Sequence, residues 1–156
     1  MDKIKEDLIS LFDEMFGCLN MYKRKTYDKL FEEKFQKYKH IIYDITRMCN
    51  EKSEEEQEQI IEELAAVIPD HAYEEVQKIS RFRRKNESFD YNINMVGYVI
   101  PILTYTGEKN CQKLAERTVE LWNAKKMNSL KLSVSSYEII SEGFQNSGLG
   151  IFGRRK

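Results

Sequence analysis

Phe89-Asp90-Tyr91-Asn92-Ile93-Asn94-Met95-Val96-Gly97-Tyr98-Val99-Ile100-Pro101-Ile102-Leu103-Thr104-Tyr105 is the stretch on which the fold turns. A helix wound through it is apolar on nearly every side, and such a helix must be covered by neighbours. Its longest apolar run, Met95 to Leu103 with Gly97 and Pro101 counted in, is far short of the ~20 residues a membrane span needs. The stretch therefore reads as a buried helix over about 89–105 at the centre of a soluble protein. Gly97 permits close approach of a neighbouring backbone, and Pro101 predicts a kink.

The flanking sequence supplies the covers. Ile4, Leu8, Leu11/Phe12, Met15/Phe16, Leu19 and Tyr22 recur every three or four residues, which predicts an amphipathic helix over about 2–22. Lys23-Arg24-Lys25 suits the negative end of its dipole, and Thr26 can cap a second helix over about 27–49. Ser53-Glu54-Glu55-Glu56 spells a capping box, opening a third helix that Pro69 ends. Asp70 is placed to cap a fourth, through Tyr73, Val76, Ile79 and Phe82. Beyond the central stretch, Thr106-Gly107 is a stop. A sixth helix follows through Leu114, Thr118 and Leu121/Trp122, and Ser135-Ser136-Tyr137-Glu138 opens a short last one. Val67-Ile68-Pro69 and Val99-Ile100-Pro101 echo each other, but their surroundings do not match, so no repeat is drawn.

The chain has 156 residues, enough to bury roughly 70% of its unfolded surface without disulfides or metal. Charged residues make up 33%, which with only two prolines favours long solvated helices. Cys18, Cys49 and Cys111 are odd in number, widely spaced and without a CxxC. They read as reduced structural residues, which suits a cytosolic setting. The N-terminus is too charged for a secretory signal.

The search for chemistry excludes more than it finds. Gly148-Leu149-Gly150-Ile151-Phe152-Gly153 matches the dinucleotide-binding spacing, but no strand precedes it and only three residues follow. Leu149 stands where a P-loop needs Lys. Lys37 and Ile68 precede His40 and His71 by three, where a di-iron bundle needs Glu. His40 with Asp44 is an i, i+4 pair that reads first as an exposed helix contact, and in its sharper form as half of a metal site. His71, beside Asp70, reads as a surface residue.

The net charge of −1 hides a segregated distribution. Glu51 to Glu63 is strongly acidic and reads as a solvated face, or as a dock for a basic partner. Lys78, Arg81, Arg83, Arg84 and Lys85 form a basic cluster that phosphate backbones could use. Asn94, Gly97, Tyr98 and Pro101 put polar and flexible groups on the most buried helix, where they form either an internal hydrogen-bond network or the wall of a pocket.

The expected fold is all-α: a single-domain irregular helical bundle of about six or seven helices over 1–146, with the 89–105 helix central and the acidic 54–68 helix at the surface. Residues 147–156 form a flexible, glycine-rich basic tail. The expected function is non-enzymatic, through protein–protein interaction or regulation. It is exercised in the cytoplasm with a protein partner or a second copy of the chain, and without cofactor, metal or membrane. Two other readings stand beside it: a nucleic-acid-associated protein using the 78–85 cluster, and a small-ligand protein or enzyme with its pocket near Gly97 and Pro101.

Overall fold

The structure, a computed structural model, describes residues 1–14, 24–79, 91–92 and 94–125, with 24–27 described by their backbone alone. The described residues are helical, with no strand among them, as the apolar periodicity requires. Helix α1 (Asp2–Glu14) buries Ile4, Leu8, Leu11 and Phe12, one face at i, i+4, i+7, i+8 spacing. Helices α2 (Arg24–Tyr38) and α3 (His40–Cys49) follow, then α4 (Glu54–Ala65) and α5 (Val67–Gln77). The central stretch holds a π-helical turn, Met95–Val99, that runs into α6 (Ile100–Thr104). Helix α7 (Lys109–Ala124) closes the described chain.

The expected run over 27–49 divides at Lys39. There Ile42 N–H donates to the Lys39 carbonyl at 3.0 Å, a tightened turn, while the His40 ring takes up the Lys37 carbonyl. The boundary expected at Pro69 lies three residues earlier. Pro69 occupies the first turn of α5, where its missing N–H removes no intrahelical bond, and Asp70 N–H donates to Ala66 O instead of capping. The kink expected at Pro101 takes the form of the π turn: Ile100 N–H reaches back five residues to Met95 O. Pro101 has no N–H to offer the carbonyl of Gly97 one α-turn back, and its ring would crowd that carbonyl; the wider π turn accommodates both.

The central stretch is buried as expected. Met95, Val99, Ile102 and Leu103 expose essentially nothing, and Asn94 and Thr104 are buried with them. Helix α7 packs against α3, α4, α5 and α6, and α1 covers α3, α5 and the π turn. Phe12 sits edge-on to Tyr91 at 5.4 Å and to Trp122 at 5.8 Å, joining α1, the central stretch and α7. The one polar atom of Trp122, buried there, donates to Asn92 Oδ1 at 2.9 Å. No helix of the described residues is long and apolar enough to cross a membrane. The helix expected near 135, the 147–156 tail, Cys18 and Arg81 to Lys85 lie outside the described residues.

Candidate functional site

Helices α4 and α7 pack side by side, and between them runs a cleft of about 330 Å³. Helical spacing puts Glu58, Ile61 and Glu62 of α4 on one wall. Asn110, Lys113, Glu116, Arg117 and Glu120 of α7, also at i, i+3, i+4 and i+7 spacing, make the other. Arg117 spans the cleft. Its Nε and Nη2 donate to the two oxygens of Glu62 at 2.7 and 2.8 Å, and its Nη1 donates to Glu120 at 2.7 Å. This bidentate pairing holds the Glu62 carboxyl below its usual range and the guanidinium above its own. Glu58 and Glu116 pair with no cation among the described residues, and the cleft stays acidic, with four carboxylates against two cations.

Asn110 sits in the same wall, nine-tenths buried, and its Oδ1 accepts from no donor among the described residues. A buried acceptor left unmade costs about 1–3 kcal/mol. The cleft thus offers an unmet acceptor and a net negative charge. It suits cationic N–H groups and repels phosphates.

A second constellation lies at the start of α3. His40 Nδ1 is 3.0 Å from the Lys37 carbonyl and its Nε2 is 2.9 Å from Asp7 Oδ2 on α1. Asp44, one turn along α3, brings its carboxylate in, so that one donor atom from each of the three lies within 4.8 Å of the others. The His40–Asp44 pair expected from the sequence is therefore part of a contact between helices. His71, expected at the surface, is mostly covered. Its Nε2 pairs with Asp13 at 2.8 Å and its ring meets Phe12 edge-on.

Of the basic cluster, Lys78 alone is described: it is exposed at the end of α5 and paired with Glu75 at 3.1 Å. Asn94, Gly97, Tyr98 and Pro101 come together in the buried central stretch, away from the α4–α7 cleft. Cys49 and Cys111 are buried. Burial first, then the Glu108 carboxylate, pushes both thiols up, the opposite of what a nucleophile needs. Sequence reading missed Asn110 and Glu116, whose only signal is their helical spacing to Lys113 and Arg117. It also missed Asp7, which nothing local ties to His40.

The chain matches no known protein family, no curated protein and no solved structure.

Proposed function

We propose that this chain is a non-enzymatic interaction protein that docks a basic segment of a partner protein in the α4–α7 cleft. One observation carries the reading: the buried Asn110 carbonyl without a donor, in a cleft whose free charges are mainly carboxylates. A Lys or Arg side chain supplies the donor that Asn110 lacks and the positive charge that Glu58 and Glu116 lack. The exposed glutamates Glu54 and Glu55 at the start of α4 extend the same field and attract such a segment. The protein works in the cytoplasm, where buried free thiols such as Cys49 and Cys111 stay reduced.

Fluorescence anisotropy with a labelled Lys/Arg-rich peptide tests this, with a Glu-rich peptide of equal length as control. The basic peptide is expected to bind, to weaken with salt, and to lose about tenfold in affinity to the Glu58→Gln/Glu116→Gln variant. Asn110→Leu is expected to weaken the peptide while leaving folding stability unchanged or raised by up to about 1 kcal/mol, since it removes an unsatisfied acceptor at similar volume. A basic peptide that binds no better than the acidic one sinks the reading. An oligonucleotide that binds in its place, and weakens with salt, moves the function to the 78–85 cluster.

A further inference from the structure

His40 is held in an orientation whose partners do not suit a neutral ring. A carbonyl oxygen only accepts, so the Nδ1 facing Lys37 O carries the hydrogen. That leaves Nε2 with a lone pair, yet it faces a carboxylate oxygen of Asp7 at 2.9 Å. Two acceptors do not attract each other. The contact needs a proton on Nε2 or a cation between the two groups. A second carboxylate, Asp44, converges on the same point and has no hydrogen bond or ion pair among the described residues. No lysine or arginine among the described residues forms an ion pair with this group: Lys5 pairs with Glu63 and Lys37 with Glu14, and Lys39, next to His40, pairs with neither aspartate. A single proton leaves this group of one imidazole and two carboxylates with a net negative charge, whereas a doubly charged cation balances it.

We propose that Asp7, His40 and Asp44 bind a divalent transition-metal cation, zinc being the best chemical fit, and that the ion clasps α1 to the start of α3. Zinc lies about 2.0–2.2 Å from such N and O donors and takes them tetrahedrally, so two donors around it stand about 3.4 Å apart. The His40 Nε2 to Asp7 Oδ2 separation of 2.9 Å is a hydrogen-bond contact that opens by about half an ångström to admit the ion. The Asp44 carboxylate, with no partner holding it elsewhere, closes the third position by a side-chain rotation. The imidazole donor favours zinc, cobalt or nickel over magnesium and calcium, which take oxygen. The bond from Nδ1 to the Lys37 carbonyl is the outer support that metal-binding histidines use to fix the ring. All three side chains are only partly covered, so remaining positions on the ion are open to water.

Calorimetry with zinc chloride and absorption spectroscopy with cobalt(II), on the full chain stripped by a chelator, give the test. One ion per chain is expected, with cobalt bands of a nitrogen–oxygen site and a rise in thermal midpoint on adding zinc. Asp44→Asn is expected to cut affinity by about tenfold or more and to remove that rise. Without metal its midpoint should equal that of the wild type, because Asp44 holds no partner, so it reports binding and not folding. His40→Gln should abolish the cobalt bands. Wild-type protein that takes up no zinc, affinity equal in Asp44→Asn, or a thiolate-to-cobalt charge-transfer band placing the ion on cysteine would each overturn the proposal.

Discussion

Glu14, the last residue of α1, shows what one side chain can do at a helix junction. Burial pushes its carboxyl up, but Lys34, Lys37 and the Tyr38 hydroxyl, all donating from α2, outweigh burial and hold it down to about 2. Tyr38 moves the other way, driven above its ordinary range by burial first and then by Glu14. Because the unfolded chain binds a proton at Glu14 near pH 4.5 and the folded protein only near 2, the pair's stabilisation is present above 4.5 and is lost as pH falls through about 2. Allowing for solvent screening of a partly exposed group, Glu14→Gln should cost about 1–2 kcal/mol at neutral pH. Urea denaturation at a series of pH values checks this: the gap between wild type and variant should shrink below pH 4.5 and close near 2. A gap that stays constant across that range would rule out the ionic origin. None of this was legible in the sequence, where Glu14 is a polar residue beside an apolar stripe and its partners lie on the next helix.

At the scale of the element, what the sequence declares is local chemistry. The Ser53 capping box is built as expected: Ser53 Oγ accepts from Glu56 N–H at 3.2 Å, and the Glu56 carboxylate reaches back to the Ser53 N–H at 3.4 Å. Ser53→Ala should therefore cost about 1 kcal/mol, read as a shift in urea midpoint at unchanged slope. The end of α3 carries a device the sequence hid. Glu51 takes a left-handed φ of 62°, the conformation that glycine usually supplies after a helix. Nothing in a glutamate announces that role, whereas Gly107, at φ 73° after α6, does. Glu51→Gly should gain up to about 1 kcal/mol by relieving the backbone, partly offset by unfolded-chain entropy. An unchanged or lower midpoint would show that Glu51 is not strained. Proline was the poorer guide. Pro69 and Pro101 predict a stop and a kink, but a first turn tolerates one and a π turn absorbs the other, and both solutions depend on neighbours that periodicity does not see.

For the whole molecule, the all-α class and the buried central stretch were legible because apolar spacing is a property of each helix alone. Which helices touch was not, and both candidate sites lie between helices: Asn110 with Glu58 across α4 and α7, Asp7 with His40 across α1 and α3. The same packing makes the cysteines reporters of the intact fold. Cys49 lies on α3 and Cys111 on α7, both essentially without exposure, and the Cys111 thiol faces the Ile42 carbonyl at 4.0 Å. Alkylation needs an accessible thiolate. Burial and the Glu108 carboxylate oppose the charge, while α3, α4 and α7 bar the reagent. Both thiols lie near helix ends, where fraying would expose them, but they sit where those three helices meet, so reaction requires the helices to separate. Iodoacetamide labelling, read peptide by peptide by mass spectrometry along a urea series, should show Cys49 and Cys111 protected together. Their free energies of exposure should fall with urea at the slope of global unfolding and reach the global value. If Cys49 labels rapidly in native buffer while Cys111 does not, α3 opens on its own, and the core around α7 is then a smaller cooperative unit than the packing implies.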